Sequence, residues 1–298
     1  MRIGVDIGGS KIEIQVLDAA GGMRLRRRQP TPHNGYNEAV GKLAGMILAA
    51  EREIGDSCSI GIGIPGTPRP RTGLVENSHN TPYNGRPLQS DLERLLARKV
   101  RMENDANCLA LSEACDGAAR GSRLAFAAVL GTGAGGGIVH AGRILSGANG
   151  LTGEWGHNPL PWMQPDEYPG PPCYCGRKGC IEQFVSGPAM SADLFAANGV
   201  TLDAASIGSQ AEAGNAAAGA CLERYAQRLA RALAHVINLL DPDIIVLGGG
   251  LSNLRALYRR VPELWNDYIY GGSADTPLVP AAHGDASGVR GAARLWDQ

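Results

Sequence analysis

Two stretches of the 298-residue chain share a pattern of apolar residues, a glycine cluster and further apolar residues. In the first, alternation over residues 3–7 leads into a glycine cluster and resumes over residues 12–16, which predicts a strand, a tight turn and a second strand. In the second, the apolar run 126–130 is followed by glycines and by another strand pattern at 134–139. The pattern therefore predicts that one structural unit occurs twice.

Helical periodicity dominates much of the remaining chain. Between residues 222 and 240, apolar residues recur every three or four positions, which predicts an amphipathic helix packed on the buried strand 244–246. Because helices and strands alternate, the sequence indicates a layered α/β fold, with residues 117–121 as the connection between two halves. Further helical stretches are predicted at 36–54, 89–99, 106–116, 252–268 and 287–296.

Composition narrows the classes of function. With 44% hydrophobic and 19% charged residues, the chain is expected to be a soluble protein with a sizeable core. Lysine plus arginine (28) nearly balances aspartate plus glutamate (29), so neither nucleic acid nor an anionic membrane is expected as a partner. No apolar run of about 18 residues and no signal-peptide core occurs in the sequence, which predicts a cytoplasmic protein.

Three of the seven cysteines lie within eight residues, at Cys173, Cys175 and Cys180. Together with the upstream His157 they supply three thiolates and an imidazole, a set that suits a structural, tetrahedral Zn²⁺ site better than a disulfide framework. Three incidental buried cysteines and an iron–sulfur cluster are the alternatives. Both are less favoured, because nearby glycines allow the loop to fold around an ion and because only three thiolates lie together.

Three glycine-rich turns are candidates for nucleotide binding, since consecutive backbone N–H groups without side chains can surround a phosphate. Either of the first two turns, taken alone, is more simply interpreted as a tight hairpin. Their repetition, with an aspartate and a hydroxyl beside the glycines, favours a nucleotide. The candidate residues are Asp6, Gly8, Gly9, Ser10 and Lys11 in the first turn, Gly131, Thr132 and Gly133 in the second, and Gly248, Gly249 and Gly250 in the third.

In this order the three turns resemble the two phosphate motifs and the adenosine motif of actin-like ATPases. The stretch 173–182, preceded by 153–157, resembles the signature of the ROK family of bacterial sugar kinases and sugar-responsive repressors. The resemblance covers nearly the whole chain. It implies a duplicated, two-lobed, ribonuclease H-like α/β fold and a homodimer. The implied lobes are 1–117, completed by a C-terminal helix at 286–298, and 118–285, with a zinc loop at 157–180.

The resemblance also implies roles for individual residues. Asp105 is expected to be the catalytic base, although spacing alone favours a helix N-cap at this position. His157 is expected to ligate zinc through one ring nitrogen and to bond a sugar hydroxyl through the other. ATP is expected at the glycine turns, with Mg²⁺ near Asp6. The expected sugar-binding residues are Asn80, Asn104, Asp105, Glu154, His157 and Glu182.

Within the family, residues 104–108, 157–162 and 282–285 most resemble bacterial fructokinases of the manno(fructo)kinase type. Transfer of the γ-phosphoryl group of ATP to the 6-hydroxyl of fructose is therefore expected, with glucokinase, mannokinase or N-acetylglucosamine kinase as alternatives. A sugar-responsive repressor is disfavoured, because the first phosphate motif begins at residue 3 and leaves no room for a preceding helix-turn-helix. The proline-rich insert from Pro159 to Pro172 is expected either to line the sugar pocket or to form a subunit contact.

Overall fold

The structure is a computed structural model that describes residues 1–78 and 81–298. Its strands are β1 (Arg2–Ile7), β2 (Lys11–Leu17), β3 (Met23–Pro30), β4 (Ser59–Ile64), β5 (Thr67–Pro68), β6 (Val75–Glu76), β7 (Arg101–Asn104), β8 (Leu124–Leu130), β9 (Ala134–His140), β10 (Arg143–Ile144), β11 (Ile244–Gly248) and β12 (Leu278–Pro280). Its helices are α1 (Tyr36–Ile54), α2 (Leu88–Leu96), α3 (Asp105–Asp116), α4 (Glu182–Val185), α5 (Gly187–Asn198), α6 (Ala204–Glu212), α7 (Ala216–Leu240), α8 (Leu257–Trp265) and α9 (Ser287–Arg294).

Two five-stranded sheets share one topology. The first has the order β3-β2-β1-β4-β7, with β1, β4 and β7 parallel and β2 antiparallel to both of its neighbours. The second has the order β10-β9-β8-β11-β12, with β8, β11 and β12 parallel and β10 antiparallel to β9. When the strands of each sheet are counted along the chain, both follow the order third, second, first, fourth, fifth. This repetition confirms the predicted duplicated α/β fold.

The helices differ from the predicted ones mainly at their ends. The helix α7 begins at Ala216, where the Asn215 side chain caps it, because its alanine-rich first turns form a helix without an apolar stripe. The helix α8 is shorter than the predicted 252–268, since 3₁₀ turns at Gly250–Asn253 and Asn266–Tyr268 flank it. The helices α5 and α6 lack a strong apolar periodicity and were not predicted.

The chain divides into two compact units, residues 1–123, 137–152 and 285–298 in the first and residues 124–136 and 153–284 in the second. This division places 118–123 and 137–152 with the first unit, whereas the predicted lobes assign them to the second. Gly137 packs directly on α3, where a Cβ atom would lie only 2.5 Å from the Ala106 oxygen. The C-terminal α9 packs closely on the first sheet.

The core of the first unit lies between its sheet and the helices α1 and α2. The apolar side chains of β1 and β2 are fully buried against it, and Leu43, Ile47 and Leu92 contribute from the two helices. Among the residues that the structure describes, no helix is long and apolar enough to cross a membrane.

Candidate active site and metal centre

Carboxylates from β1 and from the β7–α3 junction influence one another in the first unit. Because β1, β4 and β7 are parallel, Asp6 near the end of β1 and Asp105 after β7 share one edge of the sheet. Burial, followed by the charges of Asp105 and Glu13, raises the pKa of Asp6 to about 7. Asp6 is therefore poised to exchange its proton for a cation near neutral pH.

At the start of α3, the adjacent residues Asn104 and Asp105 make different contacts. Asn104 is the N-cap, since its Oδ1 accepts hydrogen bonds from the backbone N–H groups of Ala106 (2.9 Å) and Asn107 (3.2 Å). Its Nδ2 donates to the Gly66 oxygen at 2.9 Å. Asp105 is the first helical residue and accepts from the Ala106 N–H at 2.8 Å. The alternative interpretation of Asp105 as the N-cap is therefore wrong.

Glu103 is a further polar residue at this junction, and the sequence analysis missed it. Its Oε1 accepts hydrogen bonds from the Asn104 N–H (2.8 Å) and from Asn107 Nδ2 (3.1 Å). Its Oε2 accepts from the Ser146 hydroxyl at 2.8 Å. The only local signal was its position directly before the Asn104-Asp105 pair. Glu103 holds the end of β7 and the first turn of α3 together.

The first glycine turn is a tight hairpin between β1 and β2. The Gly8 N–H donates to the Lys11 oxygen at 2.8 Å, and the Thr31 hydroxyl donates to the Gly8 oxygen at 2.6 Å. Gly9, Ser10 and Lys11 are exposed. The turn thus presents its tip to solvent on a fixed base. Asn80, a predicted sugar-binding residue, lies outside the described residues.

In the second unit, the side chains of the predicted metal ligands converge. The ligand atoms of His157, Cys173, Cys175 and Cys180 all lie within 4.8 Å of one another. His157 Nδ1 is 3.6 Å from Cys173 Sγ, and Cys175 Sγ is 3.6 Å from Cys180 Sγ. A tetrahedral Zn²⁺ ion with ordinary bond lengths keeps its ligand atoms about 3.5–3.8 Å apart. The donor set and its spacing therefore fit zinc.

The second ring nitrogen of His157 contacts a tyrosine. Nε2 lies 2.9 Å from the Tyr174 hydroxyl, and the two rings pack edge to face with centroids 5.1 Å apart. Tyr174 occurs between Cys173 and Cys175, so residues 157–180, which we name the metal loop, themselves carry this ring to the histidine. The family resemblance implies a sugar hydroxyl as the partner of this nitrogen. In the structure the tyrosine hydroxyl is its partner.

Glu182 joins the metal loop to the second glycine turn. Its buried carboxylate accepts a hydrogen bond from the Ala134 N–H at 3.0 Å, and a Cβ atom on Gly133 would lie 2.6 Å from the same oxygen. The nearby indole of Trp155 donates to the Gly135 oxygen at 2.7 Å. Glu154 directly precedes the 3₁₀ turn Trp155–His157 and is partly buried. This half of the predicted sugar site is thus one connected piece of the second unit.

The second and third glycine turns also lie together. β8 and β11 are parallel neighbours, so Gly131–Gly133 and Gly248–Gly250 follow their adjacent carboxyl ends. Gly249 has a φ of 79°, and a Cβ atom there would lie 2.3 Å from the Leu130 oxygen. The Gly187 N–H at the start of α5 donates to the Gly131 oxygen at 2.8 Å. Thr132 is exposed at the tip of its turn. The second unit therefore contains two of the three glycine turns that are predicted to bind the nucleotide.

Comparison with known proteins agrees with these motifs. A sequence model described as the ROK family matches residues 2–298. An N-acetyl-D-glucosamine kinase of Yersinia pseudotuberculosis is 39% identical over 299 residues, covering 99% of this chain and 98% of that protein.

Solved structures give the same result. A ROK hexokinase from Thermus thermophilus superposes with a TM-score of 0.87 at 34% identity, covering 99% of this chain and 96% of that chain. A ROK family glucokinase from Streptomyces griseus, solved with glucose and AMPPNP, superposes with a TM-score of 0.79 at 28% identity, covering 99% and 98%. The predicted actin-like ATPase fold is confirmed.

Proposed function

The chain belongs to the ROK family, and from this premise we propose that this sugar kinase transfers the γ-phosphoryl group of ATP to the 6-hydroxyl of N-acetylglucosamine. The observation that carries the choice of sugar is the 39% identity to an N-acetyl-D-glucosamine kinase over 99% of this chain. The expected preference for fructose is not supported. It was drawn from three short stretches, whereas discrimination between sugars depends on the shape of the whole pocket.

Asp105 is the proposed general base. Phosphoryl transfer to a hydroxyl needs a carboxylate that accepts the hydroxyl proton while the phosphoryl group moves in line between two oxygens. Because Asn104 caps α3, the fold does not need the Asp105 carboxylate to start the helix. The hydrogen bonds of Glu103 to Asn107 and Ser146 keep this junction rigid, which fixes the direction of the base.

Asp6 and the glycine turns are the proposed MgATP-binding elements. Burial, together with the neighbouring charges of Asp105 and Glu13, raises the pKa of Asp6 and so disfavours its ionised form. The Mg²⁺ ion that accompanies ATP supplies a counter-charge and favours the ionised carboxylate. The exposed tips of the first two turns, residues 9–11 and Thr132, suit phosphate oxygens, and Gly248–Gly250 suits the adenosine end.

The proposed sugar-binding residues in the second unit are Glu154, His157 and Glu182. A buried sugar hydroxyl needs hydrogen-bond partners, and carboxylates and imidazole provide them. Zinc, when bound, stabilises the loop that carries these residues and leaves no open coordination position for substrate. Asn104 keeps the proposed sugar contact through the second hydrogen of its amide nitrogen, because its oxygen caps the helix and its first hydrogen is donated to the Gly66 oxygen. The homodimer also remains a prediction. Sedimentation velocity measures the oligomeric state and so tests it.

A panel of sugars tests the proposal. Initial rates with MgATP should be measured by ADP release for N-acetylglucosamine, glucose, mannose and fructose, with NMR of the product to locate the phosphate. N-acetylglucosamine should have a kcat/KM at least about tenfold above the others, equivalent to about 1.4 kcal/mol in transition-state binding. A tenfold preference for another sugar would overturn the choice of substrate and leave the kinase assignment intact.

A further inference from the structure

The proline-rich insert, residues 159–172, forms the first part of the metal loop and lies across residues 178–180 at the end of that loop, and we name this insert the strap. Its two ends bind the two backbone groups of one residue. The Leu160 N–H donates to the Gly179 oxygen at 2.8 Å, and the Gly179 N–H donates to the Pro171 oxygen at 2.9 Å. Gly179 directly precedes Cys180, one of the four metal-binding residues. The strap therefore determines where the backbone beside this ligand lies.

Close packing supports these hydrogen bonds. A Cβ atom on Gly170 would lie 2.3 Å from the Gly179 Cα, and a Cβ atom on Gly179 would lie 2.4 Å from the end of the Met163 side chain. Isolated β-bridges join Pro159 to Cys180 and Pro172 to Lys178. The strap thus packs closely on residues 178–180, through backbone contacts and through the Met163 side chain.

The middle of the strap is anchored to α7 by Glu167. Its side chain is 7% exposed and accepts hydrogen bonds from Arg231 through both terminal nitrogens, each at 2.7 Å, and from Arg228 Nε at 2.9 Å. Arg231 is buried as well and also donates to the Trp162 oxygen at 2.7 Å. Although burial opposes it, these arginines and the Gln164 N–H lower the pKa of Glu167 to about 2. The anchor is a fully ionised, bidentate pair.

We propose that Glu167 is a positioning residue, which latches the strap to α7 and thereby keeps Cys180 in the geometry that retains zinc. The inference rests on the proposed zinc site. Without the Glu167 charge, Arg231 is left buried and unpaired, and this arrangement favours opening of the strap. Opening removes both hydrogen bonds of Gly179, so Cys180 leaves the metal more often. Glu182, two residues further on, moves with it.

The rate of zinc release measures directly how well Glu167 keeps Cys180 in place. Purified protein with its zinc is mixed with an excess of a colorimetric chelator, and the release rate is compared among variants. E167Q should release zinc at least about tenfold faster than the unmodified protein. D166N is the local control, because Asp166 is exposed on the same turn. E13Q is the matched control, since Glu13 is a buried carboxylate that also binds two arginines, but in the first unit. Both controls should change the rate less than twofold.

A cobalt-substituted protein gives a second readout. Thiolate ligation produces a charge-transfer band, and E167Q should weaken or shift this band while D166N and E13Q leave it unchanged. R231K keeps the charge and loses the planar fork, so its release rate should lie between those of E167Q and the unmodified protein. This variant also carries the test if E167Q does not fold.

The outcomes separate the two proposals. Unmodified protein purified without zinc, and unable to take it up, would overturn the zinc site itself. Zinc present in the unmodified protein but released from E167Q and R231K no faster than from E13Q would overturn the latch alone.

Discussion

Asn104 and Asp105 are neighbours in the chain, but their side chains have different hydrogen-bond partners. The Asn104 side-chain oxygen accepts hydrogen bonds from two backbone N–H groups, and its amide nitrogen donates to the Gly66 oxygen. Its side chain therefore cannot move without loss of the helix cap. Asp105 accepts a hydrogen bond from the Ala106 N–H, which an amide oxygen at the same position could also accept. A substitution at 105 can therefore remove the basic group while the helix is retained.

Asp105→Asn is expected to lower kcat by at least about 10²-fold, the usual scale for loss of a general base. The dissociation constant for N-acetylglucosamine should change only a few-fold, because size and hydrogen bonding are kept. Steady-state kinetics and calorimetry measure the two quantities. Asp116→Asn, at the other end of α3, is the control and should keep near-normal turnover. Near-normal turnover of the Asp105 variant as well would show that this carboxylate is not the base.

Asp6 predicts a dependence of stability on pH. Its pKa is about 7 in the folded protein and 3.8 for an aspartate in an unfolded chain, so the folded state holds an extra proton between these pH values. The free energy of unfolding contributed by Asp6 therefore falls as pH rises through this interval and is constant above it. Asp6→Asn removes the dependence. Without Mg²⁺, the Tm of the variant relative to the unmodified protein should increase from about pH 4 to about pH 8. An equal Tm difference at both pH values would contradict the raised pKa.

Under the proposed role of His157 in sugar binding, the Tyr174 hydroxyl competes with a sugar hydroxyl for His157 Nε2. Tyr174→Phe keeps the ring that packs on the histidine and removes only the hydroxyl at 2.9 Å from Nε2. The KM for N-acetylglucosamine should fall by about 2- to 10-fold, the net worth of one hydrogen bond, with kcat nearly unchanged. A higher KM would instead show that the tyrosine hydroxyl binds the sugar.

At the scale of elements, the metal loop has little secondary structure of its own. Between His157 and Cys180 it contains only isolated bridges and the 3₁₀ turn Pro165–Glu167, so its shape depends on side-chain contacts and on a bound ion. A metal that binds only the folded state adds its binding free energy to folding. The loop and the residues that follow it, including Glu182, should therefore respond together to loss of zinc.

Cys175→Ser is expected to abolish zinc retention and to lower the Tm by several degrees, because three ligands hold the ion far more weakly than four. Elemental analysis and differential scanning calorimetry measure both effects. Cys115→Ser is the control, since Cys115 lies in α3 and outside the metal cluster. Full zinc content in the Cys175 variant would remove this cysteine from the ligand set.

Elements also show what a sequence can and cannot predict. The strand-turn-strand units were predictable because alternation and glycines are local signals, and the metal cluster because three of its ligands lie close in sequence. Glu103 was missed, since a glutamate at a strand end looks like a solvated surface residue. The Glu167–Arg231 pair was missed for another reason. Its partners are 64 residues apart, and neither the strap nor α7 carries a pattern that identifies the other.

At the scale of the whole molecule, the two ends of the chain belong to one unit. Residues 285–298 return to the first unit, and α9 approaches β1, β4 and α3 without intervening side chains. A Cβ atom on Gly61 would lie 1.8 Å from the Ala292 oxygen, and one on Gly291 would lie 1.6 Å from the Cys108 oxygen. The return of this helix was predicted only through the family resemblance, because its own pattern does not say which sheet it covers.

Gly291→Ala is therefore expected to destabilise the first unit, although alanine is the better helix former. The added methyl group has no space against the α3 backbone, and overpacking of this kind costs about 1–3 kcal/mol or more. Gly45→Ala in α1 is the matched control, because a Cβ atom there meets nothing within 4 Å. Gly45→Ala should instead raise the free energy of unfolding by up to about 1 kcal/mol. Urea unfolding followed by amide hydrogen exchange distinguishes the two, since Gly291→Ala should reduce protection in β1, β4 and α3 together. Loss of protection confined to α9 would mean that the C-terminal helix is docked on the unit without being required for its stability.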